Sequence, residues 1–470
     1  MNKKSECRVR TIANAASIRS TFVPRGVALS AIFLATACTV GPDYVKPATQ
    51  APVAFKESQG WKVAQPKDAI ERGKWWEAFA DPELNALAAQ VQFGNYNVAA
   101  AEAQFRQARS LVQQARSTYF PTVTAGASVT RSRTSSNLGR ISPPIGTVTD
   151  YQLPVDATWE IDLWGRIRRS VEANRANAQA SAADVESIRL SAQAELAQDY
   201  FLLRALDSQK QLLDQSAAAY ERSLTLTKNR HAGGIASRAD VAQAETQLRT
   251  TQAQAIDVGV QRAQLEHAIA ILIGKAPADF SLPMAPLTAI PLTMPAGLPS
   301  ELLERRPDVA AAERRLASAN AQIGIAEAAY YPTLTLGGTF GFESTDFSKW
   351  LSLPSRFWSI GPSIAQTVFD AGLRRARTDQ ARGLYDQTIA QYRQTVLTGF
   401  QEVEDNLAAL RILEQEADVQ SAAVKAAEES VALTNNQYKA GIVSYLNVVI
   451  AQTAALNNER TQVDIQGRRL

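Results

Sequence analysis

The chain is poor in the side chains that build catalytic and metal sites. Its 470 residues include two cysteines, two histidines and three methionines. Cys7 belongs to a basic N-terminal segment with the pattern of a cleaved signal, so Cys38 would have no partner for an internal disulfide. No P-loop, zinc-ligand spacing or Gly-x-Ser-x-Gly motif occurs. We therefore expect no enzyme activity, no cofactor and no metal site.

Long apolar runs and basic clusters are missing as well. No segment reaches the roughly 18 consecutive apolar residues of a transmembrane helix, so a membrane crossing would have to consist of strands. The formal net charge is +3, but six of the 49 basic residues lie in the first 37 positions, with one of the 46 acidic residues. The remainder is slightly acidic, and no basic patch with interleaved aromatics suggests nucleic acid as a partner.

The N-terminus has the pattern of an export signal. Residues 1–37 combine a basic stretch with an apolar stretch from Gly26 to Ala37. The sequence Leu-Ala-Thr-Ala-Cys at 34–38 resembles a bacterial lipobox, whose cysteine becomes the lipidated first residue of the mature protein. The alternative is an ordinary cleavage site beside a free Cys38. Residues 38–72 contain four prolines and predict an extended, lipid-anchored arm.

Two adjoining patterns dominate the body of the chain. From Tyr151 to Leu163 every odd position is apolar, which predicts a strand with one apolar and one polar face. Residues 166–232 then lack glycine and proline, and as a helix they would extend for about 100 Å. Earlier, Asp81 and Pro82 predict the cap and first turn of a helix that runs to about Ser117.

The sequence is internally duplicated. Tyr-Phe-Pro-Thr at 119–122 returns as Tyr-Tyr-Pro-Thr at 330–333, and residues 226–241 align with 433–448 at a constant offset of 207. Each repeat is predicted to contain a helix, two strands, a long helix, a glycine-containing turn and a helix. No proline follows Pro362, which favours a second long helical hairpin turning at residues 439–441.

These patterns define the predicted domain organisation. A first repeat spans 73–280, a linker spans 281–298 and a second repeat spans 299–470. The four strands are predicted at about 121–131, 150–163, 332–343 and 357–369.

Four strands cannot close a barrel, and unpaired strand edges are costly in a membrane. Two copies would give eight strands with a filled interior, whereas three give twelve and leave a lumen. Asp156, Glu160 and Asp162 would share one face and point into the lumen, because charges are expensive in lipid. The alternative is a soluble β-sandwich, whose strands also alternate.

Several motifs resemble one known family, the TolC-type outer-membrane factors, and specifically their NodT-like lipoprotein branch. They are Gly-Pro-Asp-Tyr at 41–44, Trp-Trp at 75–76 with Asp-Pro at 81–82, Phe-Pro at 120–121, Trp-Glu-Ile-Asp-Leu-Trp-Gly-Arg at 159–166, Leu-Glu-Arg-Arg-Pro-Asp-Val at 303–309 and Phe-Asp-Ala-Gly at 369–372.

The resemblance implies a mainly α-helical homotrimer with a twelve-stranded β-barrel in the bacterial outer membrane and an α-helical tunnel in the periplasm. It implies a passive exit duct for small molecules or drugs, working with a periplasmic adaptor and an inner-membrane transporter of the RND, MFS or ABC type. Metal-ion efflux and type I protein secretion remain alternative cargoes. A lipid-anchored periplasmic coiled-coil scaffold without a pore is the alternative outside the channel class.

The resemblance also implies where the pump partners bind and where the pore closes. Adaptor hairpins would dock at turns formed by Gly233, Gly234, Ser237, Gly441 and Ser444, and residues 237–240 predict a capping box that restarts the helix. The alternative is that these turns only reverse the chain.

Family members often carry Tyr-Leu-x-x-Leu-Asp after the second turn, whereas this chain has Tyr-Leu-Asn-Val-Val-Ile at 445–450. The acid is replaced by Ile450, so a ring of Leu446 is predicted to form an apolar gate. The alternative is that Leu446 makes ordinary helix-packing contacts.

Overall fold

The computed structural model describes residues 39–46, 73–133, 135, 146–288 and 306–470. The predicted export signal, Cys38, most of the arm at 38–72 and much of the linker at 281–298 lie outside the described residues. The chain divides into two compact units. The strand unit consists of Met1–Pro47, Arg106–Ala180 and Glu313–Gln391, and the helical unit of Ala48–Phe105, Ser181–Ala312 and Tyr392–Leu470. Each unit contains segments of both predicted repeats.

Seven α-helices account for most of the described chain. They are α1 (Pro82–Gly94), α2 (Tyr96–Ser117), α3 (Arg166–Ala232), α4 (Arg238–Leu272), α5 (Pro307–Ala328), α6 (Leu373–Lys439) and α7 (Tyr445–Arg468). The two long helices, α3 and α6, each contain 67 residues. Their lengths confirm the predictions of an uninterrupted helix before Gly233 and of a second long hairpin. None of the described helices combines the length and apolar character needed to cross a membrane.

The first predicted helix begins as expected but is divided in two. Asp81 caps α1 by accepting hydrogen bonds from the backbone N–H groups of Glu83 and Leu84 at 2.9 and 3.0 Å. At Asn95 the backbone becomes extended, and the Asn95 side chain accepts from the N–H groups of Asn97 and Val98. Its amide also donates to Leu272 O at 2.9 Å. Asn95 therefore ends one helix and caps the next.

Five strands form one antiparallel sheet. They are β1 (Thr122–Ala125), β2 (Ser128–Ser132), β3 (Val148–Ile161), β4 (Thr333–Ser344) and β5 (Arg356–Ala365). The order is β1-β3-β4-β5, and β2 pairs with β3 beside β1. Every pairing is antiparallel.

The first predicted strand is interrupted, and the reason lies in its neighbour. Ala125 pairs with Val155 and Ser128 with Gln152, so β1 and β2 follow β3 in one continuous register. Between them, Gly126 N–H donates to Pro154 O at 3.0 Å. Pro154 has no N–H to return the bond, so the ladder breaks there. The two segments together occupy the place of one strand.

Two other strands end earlier than predicted, and acidic residues between them and the following helices accept hydrogen bonds from the helix starts. Asp162 lies beyond β3, and its carboxylate accepts from the N–H groups of Ile167 and Arg168 at 3.1 and 2.9 Å. The prediction that Asp162 faces a lumen from within the strand was therefore wrong. Asp370 makes the matching contacts before α6, accepting from the N–H groups of Gly372 and Arg374.

The helical unit has an apolar core and a buried ionic cluster beside it. Leu84 and Val91 of α1, Leu196 and Leu203 of α3, and Ile269 of α4 are fully buried in one cluster. Each such side chain contributes roughly 1.5–3 kcal/mol of hydrophobic stabilisation.

The ionic cluster surrounds Asp207, which accepts from Arg204 Nη1 at 3.1 Å, Arg262 Nε at 2.7 Å and Ala285 N at 3.1 Å. Because this buried carboxylate has three donors, its desolvation cost is offset.

Candidate functional site

The register of the sheet separates its side chains into two chemically different faces. Residues directly opposite each other in an antiparallel pair lie on the same face. One face, the apolar face, combines aliphatic and aromatic residues from every strand. They are Val123, Ala125, Val129, Tyr151, Leu153, Val155, Ala157, Trp159, Ile161, Leu334, Leu336, Phe340, Phe342, Trp358, Ile360, Pro362 and Ile364.

The opposite face is polar and acidic. Among the paired residues it carries Asp150, Asp156, Glu160 and Glu343 and no lysine or arginine. Thr339 Oγ1 donates to Asp156 at 2.7 Å, and Gln152 Nε2 donates to Asp150 at 2.8 Å. The prediction that Asp156 and Glu160 share a face is confirmed.

Aromatic side chains lie at both ends of the apolar face. At the end of the β4–β5 loop, Tyr151, Phe347 and Trp350 have ring centroids 5.4 to 6.0 Å apart. At the other end, Trp159 Nε1 donates to Tyr119 O at 2.9 Å. From Tyr151 to Ile161 the strand extends about 34 Å, or about 26 Å normal to a membrane at a 40° tilt, which matches the apolar band of a membrane barrel.

The two outermost strand positions are open. Among the described residues, β1 and β2 pair only with β3, and β5 pairs only with β4. The residues of these strands are exposed along nearly their whole length. In hydrocarbon each unpaired backbone N–H or C=O group costs several kcal/mol, because no water replaces the missing hydrogen bond. The sheet therefore needs further strands before it can enter a membrane.

The segment after Cys38 is bound to the strand unit by a buried arginine. Arg169 is 4% exposed and donates to Val40 O at 3.3 Å, Gly41 O at 3.2 Å and Asp43 Oδ1 at 2.9 Å. Tyr44 OH donates to Glu313 at 2.7 Å. These contacts explain the Gly-Pro-Asp-Tyr motif at 41–44. Sequence reasoning missed Arg169, because nothing local distinguishes it from the other arginines at the start of α3.

In the helical unit, the two hairpin turns have the same backbone geometry. Gly234 and Gly441 have φ of 72° and 75°, in the left-handed region that favours glycine. Ile235 N–H donates to Arg230 O at 2.8 Å, and Ile442 N–H donates to Gln437 O at 2.9 Å. These are the bonds of a Schellman ending. Gly233 has no such requirement, and the second turn has alanine at the equivalent position.

The helix starts after the turns differ in chemistry. Ser237 Oγ accepts from Asp240 N–H at 3.1 Å, and Asp240 Oδ2 accepts from Ser237 N–H at 2.9 Å. This confirms the predicted capping box. Ser444 has the same extended backbone but no side-chain cap. The equivalent of Asp240 is Asn447, so the second hairpin lacks the carboxylate that completes the box.

A cluster of aromatic and cationic side chains joins the two hairpins beside the turns. The Arg230 guanidinium lies 4.7 Å from the Tyr438 ring centroid, and its Nη1 donates to Lys439 O at 3.0 Å. Tyr438 contacts Tyr445 edge-on at 5.3 Å, and Tyr445 OH lies 3.1 Å from Ser223 Oγ. Burial raises the pKa of the Tyr445 phenol, with the Ser223 contact opposing it. The phenol is therefore neutral at physiological pH. Sequence reasoning missed this cluster because its members differ between the repeats.

The predicted gate residues lie on the solvent-exposed side of α7. Leu446 and Ile450 are 47% and 58% exposed, one helical turn apart. Tyr445 and Val448 point the other way and are buried. Ile235 and Ile442 at the turns are also exposed. Within the described chain, Leu446 is thus only partly packed.

A groove of about 450 Å³ lies between α3, α6 and α7 of the helical unit. Its lining includes Tyr220, Lys439, Gln452 and Glu459. Gln452 is buried, and its side-chain oxygen has no hydrogen-bond partner among the described residues. Burial, with a smaller contribution from Glu428, raises the pKa of Glu459. The groove therefore offers the side chains of Lys439 and Glu459 to a partner.

The chain is similar to known proteins over most of its length. A family model described as outer membrane efflux protein matches residues 87–275 and 298–470. The antibiotic efflux pump outer membrane protein ArpC of Pseudomonas putida is 32% identical over 427 residues, 89% of this chain and 87% of that protein. The solvent efflux pump outer membrane protein SrpC of Pseudomonas putida is 31% identical over 453 residues, 94% of each chain. The solved outer-membrane channel OprN is 30% identical, with a TM-score of 0.83 over 92% of this chain and 97% of that one.

The unequal caps of the two hairpins give a matched pair of substitutions. Ser237→Ala should weaken the first turn of α4 by about 1 kcal/mol, because it removes the cap of the Asp240 N–H. Hydrogen exchange of the Asp240 and Val241 amides should then quicken about fivefold. Ser444→Ala should change exchange of the Asn447 and Val448 amides by less than about twofold, since it removes no cap. Equal effects in the two hairpins would contradict the unequal capping.

Proposed function

The chain belongs to the outer membrane efflux protein family, and we propose that it is the exit duct through which a tripartite pump expels small organic molecules. Family membership agrees with the resemblance drawn from the motifs at 41–44, 159–166 and 369–372. The protein is the outer-membrane component of an efflux pump and a channel rather than an enzyme.

The duct function rests on one observation. The sheet has an apolar face, a polar and acidic face, and two open edges. Three copies would pair β5 of each with β1 and β2 of the next and give a closed wall of twelve strand positions, with β1 and β2 counted as one. The apolar face then meets lipid and the acidic face meets water. Nothing in this arrangement uses energy, so the pump partners supply the driving force.

Relatives support the choice of cargo. ArpC is named for antibiotic efflux and SrpC for solvent efflux, so we extend both classes of small organic molecule to this chain. Metal ions and secreted proteins are the competing cargoes.

The tips of the hairpins are the proposed docking site for a periplasmic adaptor. The turns at Gly233, Gly234 and Gly441 are closed by Schellman bonds, and Ile235 and Ile442 are exposed there. A groove lined by Lys439 and Glu459 lies between the helices that lead to and from these turns. Ser237 and Ser444 begin the helices that lead away from the tips. Co-purification would identify the inner-membrane transporter as the RND, MFS or ABC type.

The cargo is tested by deleting the gene and restoring it on a plasmid. Loss of the gene should increase susceptibility to organic solvents and antibiotics and leave metal tolerance unchanged. The restored gene should return the susceptibility to solvents and antibiotics to the parental level. Increased sensitivity to metals alone would support metal efflux. Loss of a secreted protein without any change in susceptibility would support secretion.

Lipidation of Cys38 is proposed from the lipobox resemblance and from the bound segment that follows it. Cys38→Ser should abolish the mass added by lipid, because the cysteine sulfur is the atom to which the lipid is attached. Mass spectrometry of the mature protein reads this directly. Cys7→Ser lies in the cleaved segment and should leave the mature mass unchanged. A wild-type mature chain without added lipid would contradict the proposal.

An apolar gate at Leu446 is proposed from its partial exposure and from the apolar Ile450 one turn away. Leu446→Ser should raise single-channel conductance in planar bilayers, because a polar ring wets more easily than an apolar one. Leu397→Ser removes another exposed leucine on a different helix and should leave conductance unchanged. Unchanged conductance of the Leu446→Ser variant would contradict the proposed gate at Leu446. Absence of any conducting trimer would instead favour the scaffold.

A further inference from the structure

The apolar face of the sheet carries two charges, both positive and both at the loop end. Arg131 pairs with Thr149 near the end of β2, and Arg356 pairs with Phe342 as the first residue of β5. Arg133 follows directly after β2. All three arginines are exposed. No other residue paired on this face is charged.

These arginines have no partner in the part of the chain that the structure describes. The nearby acids Asp150 and Glu343 lie on the opposite face, as the register shows. Asp346 in the β4–β5 loop is occupied by Ser348 and by Lys349 Nζ at 3.7 Å. Arg131 and Arg356 thus lie at one end of the apolar face, Arg133 follows two residues after Arg131, and none of the three has a counter-ion among the described residues.

Their surroundings correspond to the headgroup level of a membrane. Phe342 and Trp358 lie on the same face as Arg356, and Tyr151 packs against Phe347 and Trp350 at the same end. Aromatic belts mark the boundary between hydrocarbon and water on membrane barrels. A guanidinium group at this depth binds phosphate with two parallel hydrogen bonds, which a primary ammonium cannot do.

We propose that Arg131, Arg133 and Arg356 bind the phosphate groups of a lipid in the outer leaflet. The occupant is a lipid headgroup rather than free phosphate, because the apolar face continues from the arginines and accommodates acyl chains. In a closed ring β5 of one copy adjoins β2 of the next, so each junction presents Arg356 from one copy and Arg131 and Arg133 from the other. The site goes beyond the duct function and rests on the apolar face contacting lipid.

The test uses the full mature trimer in detergent, with native mass spectrometry of bound lipid. The probes are diphosphoryl lipid A, the same lipid without phosphate, and inorganic phosphate as a competitor. Wild-type trimers should retain the diphosphoryl lipid and release the dephosphorylated one. The triple variant Arg131→Gln, Arg133→Gln and Arg356→Gln should bind the diphosphoryl lipid more weakly, on the order of 100-fold, since it removes three cations per junction.

The matched control removes three exposed cations from the helices: Arg106→Gln, Arg249→Gln and Lys425→Gln. This control should retain the lipid like wild type. Equal retention by the arginine variant, or equal retention of the lipid without phosphate, would overturn the site. Displacement by millimolar inorganic phosphate would overturn the lipid as occupant. Planar-bilayer conductance of the same preparations distinguishes the lipid site from the duct function. Normal conductance without selectivity for the phosphorylated lipid would reject the lipid site alone. Absence of conductance would reject the duct function.

Discussion

The unfinished sheet is the constraint on which the rest of this molecule depends. The backbone N–H and C=O groups that point away from the sheet along β1, β2 and β5 need hydrogen-bond partners once the sheet enters hydrocarbon. No side chain can meet that demand along a whole strand, so the strands of other copies must. Assembly is therefore a condition of membrane insertion for this chain, and the separation of apolar and acidic residues between the faces acquires its meaning only in the closed ring.

The distribution of charge follows from the same constraint. The acidic residues of the strands lie on the face that would meet water, and the two basic residues on the apolar face lie at its loop end. Two buried charges in the described chain each have several partners: Asp207 accepts from three donors, and Arg169 donates to two backbone carbonyls and to Asp43. Buried ions in this chain thus position segments, because an ion with several partners tolerates little displacement.

Duplication has preserved the backbone of the hairpins more closely than their side chains. Both long helices contain 67 residues, and both end in a left-handed glycine with the same bonds. The capping box is complete only in the first hairpin, and Tyr438 occupies the position of His231. The contacts of Arg230 with Tyr438 and Lys439 place the ends of the two long helices next to each other. The unequal side chains make the two tips chemically distinct for a partner.

Local patterns were sufficient to predict the two long helices, the turn glycines, the capping box and the alternation of the strands, because each depends on neighbours within a few residues. The resemblance of several motifs predicted the family. The alternation along the strand predicted that Asp156 and Glu160 share the polar face of the sheet. The folded chain was needed to show that Pro154 interrupts the first strand position, that Asp162 caps a helix, and that Arg169, Arg230 and Tyr438 hold distant segments together. Those outcomes depend on residues far apart in sequence, where no local pattern specifies which hydrogen bond or packing contact is made.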